Sequence, residues 1–296
     1  MIFGSLFSGI GGLDLGLERA GMTCAWQVEN NEFCQAVLGF RFPDSRVHPD
    51  VRTFSPHVAV DLICGGFPCQ DVSSAGKRAG LDGERSGLWT EYRRILEEAR
   101  PRFVLVENVA RLRTAGLDRV LQDLAALGYD AEWDCLPAAS VGAPHLRDRL
   151  FLVAWDRSRV RLPDTNDGAQ GPLADSGRNG REVVGSGECD HGCDASGDLV
   201  DGCSARIFCP GALARWRARC EAEVWPRAQP GLGRASDGLA GGLDLWERGV
   251  ARAIRSPERG SDASAIRQAR LMAIGNAVVP QLTEFVGRRI LEVFKP

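Results

Sequence analysis

The 296-residue sequence has little of several features that define common protein classes. No apolar run reaches the roughly 18 residues that a membrane-spanning helix needs, and no basic segment precedes the apolar N-terminal stretch as in a secretory signal. We therefore expect a cytoplasmic protein with no membrane partner. A surplus of positive charge is also missing, because 36 Lys and Arg are set against 39 Asp and Glu, for a formal net charge of −3. The total charge alone thus argues mildly against a nucleic-acid partner.

Regular cysteine spacing is absent too, although the chain has ten cysteines. Without a secretory signal we expect a reducing compartment, and most of these thiols should be free. A zinc site is the alternative in the second half of the chain, where the potential ligands are Cys189, His191, Cys193, Cys203 and Cys209. Cys189 and Cys193 have a zinc-compatible spacing, whereas Cys203 and Cys209 do not, so we predict no metal.

The chain divides into regions that differ in composition and in hydrophobic periodicity. From residue 1 to about residue 155, short apolar runs alternate with amphipathic stretches, which predicts an α/β fold with a mostly parallel sheet buried on both faces. From about residue 162 to 211 the periodicity disappears and Gly, Asp, Ser and Asn dominate, which predicts a loose insert. A helix is predicted from about Pro280 to Phe294.

A glycine-rich turn follows the first predicted strand and leads into a helix, in the sequence Phe7-Ser8-Gly9-Ile10-Gly11-Gly12. Glycines allow a tight turn and close approach of a ligand, which the amides of the helix N-terminus then face. Glu29 ends the second predicted strand 18 positions after Gly11, where a carboxylate can hold a ribose. Asp50 follows the third predicted strand and is able to accept a hydrogen bond from an adenine amino group. Together these residues predict an adenosine-containing ligand.

Two chemically reactive side chains follow neighbouring strands of the predicted sheet. Cys69 comes after Gly65-Gly66-Phe67-Pro68, and Glu107 ends the next strand in Glu107-Asn108-Val109. The carboxyl ends of adjacent parallel strands meet at one cleft, so a thiol and a carboxyl there favour covalent catalysis with acid assistance. A buried structural cysteine is the alternative, but the stiff loop before Cys69 and the Ser/Gly/Lys-rich segment after it argue against burial.

With these motifs in this order, the chain resembles a cytosine-C5 DNA methyltransferase of the short bacterial or phage type. The matching segments are Phe7–Gly12, Gly66–Gln70, Gly83–Trp89, Glu107–Val109, Pro144–Arg149 and Gly275–Pro280. The resemblance implies a Rossmann-like, S-adenosylmethionine-dependent methyltransferase fold. It further implies a catalytic domain of residues 1–155 plus 271–296, and a small target-recognition region of residues 156–270 that contains the loose insert.

The resemblance also implies a mechanism. The Cys69 thiolate would add to C6 of a flipped cytosine, and Glu107 would hold or protonate N3. C5 would then take the methyl group of S-adenosylmethionine, leaving S-adenosylhomocysteine, and loss of the C5 proton would release Cys69. Arg149 matches the arginine that contacts cytosine O2, and Arg147 is its neighbour in the same motif. A structural ion pair with acids of the sheet is the alternative for both arginines.

Cofactor and DNA contacts are implied at matching positions. For the cofactor they are Phe7, Gly9, Gly11, Gly12, Glu29, Asn30, Asp50, Val51, Pro68, Leu88, Asn276 and Ala277. For DNA they are Gln70, Ser73, Lys77, Arg78 and Arg85 in a lid over residues 70–85, and Arg215, Arg217 and Arg234 in the recognition region. Residues 205–255 contain 9 arginines against 5 acids, so a basic surface is present locally although the total charge hides it.

The implied partner is double-stranded DNA, with a cognate restriction endonuclease as a partner in the same modification system and a monomer as the expected state. Two alternatives stay open: a tRNA cytosine-C5 methyltransferase, which shares these motifs, and a catalytically idle DNA-binding module. The idle module fits poorly with the retained Cys69, Glu107 and Arg149. A nicotinamide oxidoreductase is disfavoured because Gly-Gly-Phe-Pro-Cys has no role in one.

Overall fold

The structure is a computed structural model that describes residues 1–68, 87–143, 145–160, 206–208, 210–223, 268–269, 272–273 and 275–294. Within these residues one sheet contains β1 (Ile2–Leu6), β2 (Thr23–Val28), β3 (Arg46–His48), β4 (Leu62–Gly65), β5 (Phe103–Val109), β6 (Tyr129–Pro137) and β7 (Asp148–Asp156). The helices are α1 (Gly12–Arg19), α2 (Glu32–Arg41), α3 (Gly87–Ala99), α4 (Leu117–Ala126), α5 (Pro210–Glu223) and α6 (Pro280–Val293).

The strand order is β3-β2-β1-β4-β5-β7-β6. Strands β1 to β5 pair in parallel, whereas β7 runs antiparallel to both β5 and β6. The chain moves outward from β1 in one direction through β2 and β3, and then in the other direction through β4 and β5. The crevice above the carboxyl ends of β1 and β4 is therefore a topological switch point, where sheets of this kind bind ligands. The predicted α/β fold is confirmed.

The sheet is buried on both faces by helices, as the continuous apolar strands predict. Along β5, Phe103 and Leu105 pack against α1 and α6, while Val104 and Val106 pack against α3 and α4, and all four are fully buried. This alternation follows from the two-residue period of a strand. Burial of each such side chain stabilises the fold by roughly 1.5–3 kcal/mol, so the central strands form a rigid platform for the residues at their ends.

Helices α1 and α6 pack unusually close together because glycines lie between them. A Cβ atom at Gly16 would lie 2.5 Å from the carbonyl oxygen of Pro280, and one at Gly12 would lie 2.7 Å from that of Val278. Pro280 opens α6, a position where its missing N–H costs nothing. The chain's C-terminal helix, predicted over Pro280–Phe294, is thereby attached directly behind the glycine turn that precedes α1.

The described part of the predicted recognition region packs on the catalytic domain. The carboxylate of Glu132 on β6 accepts backbone N–H groups from Ile207 (3.2 Å) and Phe208 (3.3 Å). Helix α5 follows, and its Trp216 Nε1 donates to the carbonyl of Gln281 at the start of α6 (3.1 Å). The predicted loose insert over 162–211 is therefore wrong at its C-terminal end, because Ile207 is fully buried and a helix begins at Pro210. Residues 161–205 lie outside the described residues.

Candidate active site

The glycine-rich turn lies at the carboxyl end of β1, at the switch point of the sheet. Gly9 (φ +56°) and Gly11 (φ +80°) adopt left-handed backbone conformations, and Phe7 does so as well (φ +54°). Glycine is suited to this region, whereas a phenylalanine there is strained, a cost that proteins tend to accept at functional sites. A Cβ atom at Gly9 would meet no atom within 4 Å, so open space borders the turn. The N-terminus of α1 begins directly after it and can receive an anionic or polar ligand.

Glu29 at the end of β2 supports this turn. Its Oε2 accepts the backbone N–H of Gly9 (2.7 Å), and its Oε1 accepts that of Asn31 (2.8 Å). The side chain is only 9% exposed, and each carboxylate oxygen keeps a second lone pair. Glu29 therefore stands where the sequence predicts a ribose contact, and it also determines the conformation of the turn, which sequence reasoning missed.

Asp14 is a buried carboxyl directly behind the turn, on the first turn of α1. It accepts hydrogen bonds from Gln27 Nε2 (2.7 Å) on β2 and from Ser5 Oγ (3.1 Å) on β1. Burial raises the pKa of Asp14 to about 6, and the hydrogen bond from Gln27 opposes that rise. The only sequence signal for this residue is an acid between leucines on an otherwise apolar helix face. It links β1, β2 and α1 beneath the expected cofactor.

The segment after β3 is held against α3. Arg94 Nη2 donates to the carbonyl oxygens of Val51 and Phe54, both at 2.9 Å. Asp50 accepts the backbone N–H of Arg52 (2.9 Å), which shapes the turn where the sequence predicts an adenine contact. Arg94 itself is oriented by ion pairs within α3, to Glu91 and Glu98. No local pattern identifies Arg94, because its partners lie about 40 residues earlier in the chain.

The remaining predicted cofactor residues lie around the same edge. Leu88 lies in the first turn of α3 and packs on the core that contains Val51, while the rings of Phe7 and Tyr92 stack with their centroids 6.3 Å apart. Ala277 packs in a cluster with Ile10 of the glycine turn. Asn30, Pro68 and Asn276 are exposed.

Glu107 lies at the carboxyl end of β5, pressed against the segment that follows β4. A Cβ atom at Gly66 would lie 2.7 Å from Glu107 Oε2, so a side chain at this position would displace the carboxyl from its present place. The neighbouring Asn108 donates from Nδ2 to the carbonyl of Phe67 (3.0 Å). Asn108 is buried and thus fixes the backbone two residues before Cys69.

Arg149 forms an ion pair with this carboxyl. Its Nε lies 3.2 Å from Glu107 Oε1, and β7 places it there because Arg149 pairs with Val109 across the antiparallel ladder, diagonal to Glu107. Burial raises the pKa of Glu107 to about 7, and the charges of Arg149 and then Arg147 oppose that rise. The ion pair considered above as a purely structural alternative does form, but its acid is the candidate catalytic carboxyl. A carboxyl that titrates near neutrality suits proton donation to a ring nitrogen.

Arg147 is directed differently, although it belongs to the same motif. It has a left-handed backbone (φ +30°), and its Nη2 donates to the carbonyl of Gly275 (2.8 Å) and to that of Ala277. Arg147 thus joins the strand that carries Arg149 to the chain's C-terminal motif.

Several predicted residues lie outside the described residues: Cys69, Gln70, Ser73, Lys77, Arg78, Arg85, Arg234 and the five potential zinc ligands. Arg215 and Arg217 are described and exposed on α5. Among the described residues, no group of three or more His, Cys, Asp or Glu side chains is arranged to hold a metal. No described helix is long and apolar enough to cross a membrane.

A sheet with this strand order, a glycine turn at its switch point and acids at the carboxyl ends of β2 and β5 defines an α/β fold of the S-adenosylmethionine-dependent methyltransferase class. The sequence model of one family, described as C-5 cytosine-specific DNA methylase, matches residues 1–171. The chain belongs to this family, which confirms the resemblance drawn from the motifs.

Individual relatives match about half to two thirds of the chain. The chain is 36% identical over 158 residues to the type II methyltransferase M2.BsuMI of Bacillus subtilis, a match that covers 51% of this chain and 41% of that protein. It is 34% identical over 172 residues to the type II methyltransferase M.AquIA of Picosynechococcus, covering 50% and 69%. Among solved structures, Spodoptera frugiperda DNMT2 is 21% identical with a TM-score of 0.48, covering 64% of this chain and 56% of that one. The matches thus span about two fifths to two thirds of these relatives.

Proposed function

We propose that the protein is a DNA (cytosine-5-)-methyltransferase, which transfers a methyl group from S-adenosylmethionine to C5 of a cytosine in duplex DNA. One observation carries this proposal: a buried carboxyl of pKa about 7, Glu107, is paired with Arg149 and packed on the loop that leads to a cysteine. An acid beside a nucleophile is what addition to a pyrimidine ring requires, since the ring nitrogen takes up the charge that addition creates.

The residues around the glycine turn fit S-adenosylmethionine. Open space borders Gly9, the carboxylate of Glu29 retains acceptor capacity toward ribose hydroxyls, and Asp50 with Val51 and Leu88 would border the adenine. When bound, the cofactor supplies an electrophilic methyl group. The residues of this chain would then hold the cofactor at the switch point of the sheet, beside the end of β4 that leads to Cys69.

In the proposed mechanism, the Cys69 thiolate forms a bond to C6 of an extruded cytosine, and Glu107 donates a hydrogen bond or proton to N3. Arg149 contacts O2 and keeps Glu107 in place. The electron pair displaced toward C5 bonds the transferred methyl group. Loss of the C5 proton to solvent then restores the double bond and breaks the C6–sulfur bond, which frees Cys69, and N3 returns its proton to Glu107. Extrusion of the base costs a few kcal/mol, recovered by contacts in this pocket.

DNA is the substrate we propose, in a modification system of the kind named for the type II relatives. Individual cations are available for phosphates: Lys77, Arg78 and Arg85 in the proposed lid of residues 70–85, and the exposed Arg215 and Arg217 on α5. The target-recognition region that we propose is residues 156–270, and its helix α5 packs on the catalytic domain through Trp216. A cytoplasmic monomer and a cognate endonuclease remain predictions.

The test is trapping on duplex DNA that contains 5-fluorocytosine, together with transfer of labelled methyl groups to ordinary duplex DNA. We expect a covalent adduct that disappears in Cys69→Ala and persists in the control Cys135→Ala, whose thiol lies on β6. Turnover by Cys69→Ala would show that the nucleophile is wrong. Methylation of tRNA without methylation of duplex DNA would favour the tRNA enzyme, and no adduct with either would favour the idle module.

A further inference from the structure

Arg147 connects two motifs that are far apart in the sequence. Its Nη2 donates to the carbonyl oxygens of Gly275 and Ala277, which are 128 and 130 residues later in the chain. These two carbonyls flank Asn276, so a single guanidinium holds both sides of the C-terminal motif. A charged donor that serves two carbonyl oxygens forms stronger hydrogen bonds than neutral donors do.

The segment that Arg147 holds is packed on the glycine turn. Ala277 and Ala273 share an apolar cluster with Ile10, which lies between the two left-handed glycines. Val278 approaches so closely that a Cβ atom at Gly12 would lie 2.7 Å from its carbonyl oxygen. A displacement of residues 275–278 would therefore change the conformation of the glycine turn, in which the backbone N–H of Gly9 is bonded to Glu29.

We propose that Arg147 is a positioning residue for the methyl donor, which acts by holding residues 275–278 on the glycine turn. This inference rests on the proposed function, because it assigns S-adenosylmethionine to that turn. The two arginines of one motif then have separate duties. Arg149 serves the carboxyl at the target base, with its Nε 3.2 Å from Glu107 Oε1, whereas Arg147 serves the cofactor through the C-terminal segment.

A binding experiment distinguishes the role of Arg147 in cofactor binding from the role of Arg149 at the target base. We would measure the affinity of wild-type protein, Arg147→Met, Arg147→Lys and Arg149→Lys for S-adenosylhomocysteine by calorimetry. Loss of a charged donor to two carbonyls should weaken binding about tenfold to a hundredfold in Arg147→Met. Arg147→Lys keeps a cationic donor and should recover part of the affinity. Arg149→Lys should bind the product cofactor as the wild type does while its methyl transfer slows.

Hydrogen exchange on the ligand-free protein gives a structural measurement beside the binding experiment. Hydrogen exchange of the backbone amides of residues 275–279 should accelerate in Arg147→Met and be restored in part in Arg147→Lys. Exchange in α3 should stay unchanged, and the same thermal unfolding midpoint would exclude general loss of fold. Should Arg147→Met fail to fold, Arg147→Lys carries the comparison by itself.

Unchanged affinity and unchanged exchange in the Arg147 variants would overturn the proposal, and loss of the 5-fluorocytosine adduct at full cofactor affinity would move Arg147 to the target base. If the wild-type protein binds S-adenosylhomocysteine but methylates no nucleic acid, the proposed function fails while the positioning role stands. If the wild type does not bind S-adenosylhomocysteine at all, both fail.

Discussion

Gly66 and Glu107 lie in contact across the carboxyl ends of β4 and β5, so that a Cβ atom on Gly66 would sit 2.7 Å from Glu107 Oε2. Real Cβ atoms do not approach other atoms so closely, and the backbone of Gly66 is followed at once by the segment that Asn108 anchors. Gly66, the first residue of the candidate catalytic motif, therefore helps to set where the buried carboxyl lies.

Gly66→Ala should displace the Glu107 carboxyl and lower the rate of methyl transfer by about tenfold or more, since general acid catalysis of this kind contributes about 10² to 10⁴. The glycine turn is on another strand, so affinity for S-adenosylhomocysteine should be unchanged. Single-turnover rates with saturating cofactor would measure the effect. A full rate in Gly66→Ala would mean that the carboxyl does not need its present position.

Glu107→Gln should change how stability depends on pH. Burial raises the pKa of Glu107 from 4.5 to about 7 in the folded protein, so the folded state resists ionisation that the unfolded state permits. The wild type is therefore destabilised as the pH rises from about 4.5 through 7, by on the order of 3 kcal/mol at the upper end. Glutamine does not ionise in this pH range, so Glu107→Gln removes this contribution to the pH dependence of stability.

Urea unfolding of both proteins between pH 5 and pH 7.5 would measure the difference. We expect the stability of Glu107→Gln relative to the wild type to increase steadily over this range. Asp14 has a pKa raised by burial to about 6, but it is present in both proteins and its contribution cancels. A difference that stays constant with pH would contradict the assigned titration.

Arg94→Met should loosen the turn after β3 and weaken cofactor binding. It removes the donor to the carbonyls of Val51 and Phe54, next to the residue predicted to contact adenine. We expect affinity for S-adenosylhomocysteine to fall about tenfold, in line with hydrogen bonds from a charged donor. Arg119→Met is the matched control, because Arg119 is an exposed helix arginine whose ion pair joins it to Asp123 on α4. Equal affinities in the two variants would refute the role of Arg94.

Gly16→Ala should separate α1 from α6. The new methyl group would lie 2.5 Å from the carbonyl oxygen of Pro280 and 2.5 Å from Thr283 Cβ, both on rigid helix backbone or close to it. Overpacking of this kind typically costs about 1–3 kcal/mol, which thermal or urea unfolding would detect. Gly39→Ala is the control, since a Cβ atom at that helical glycine meets no atom within 4 Å and alanine favours a helix. A stable Gly16→Ala protein would show that the helices can move apart freely.

Much of the fold and of the site could be predicted from local sequence. Mostly apolar runs of four to six residues bounded by turns identify β1, β4 and β5. The glycine turn, Glu29 and Glu107 are recognisable because their chemistry depends on being at the ends of strands, which a linear pattern already marks. Those positions were predicted and are where the structure places them.

Contacts between distant parts of the chain were not predictable in this way. Arg94 bonds to residues 40 and 43 positions before it, Arg147 to residues 128 and 130 positions after it, and Glu132 to residues 75 and 76 positions after it. Nothing near Arg94 and Glu132 in the sequence distinguishes them from surface charges, and the motif that contains Arg147 does not reveal which residues it contacts. For this reason α5 was placed with the recognition region, although Trp216 and the anchored Ile207 attach it to the catalytic domain.

By itself, then, the sequence determined the order of the strands along the chain, the family and the residues at the strand ends, because each depends on short-range periodicity and motif. Only the tertiary structure decided that Gly66 leaves room for Glu107, that burial outweighs Arg149 in raising the pKa of that carboxyl, and that Arg147 serves the C-terminal segment. The physical reason is that desolvation and long-range hydrogen bonds depend on which side chains the sheet and its helices bring together.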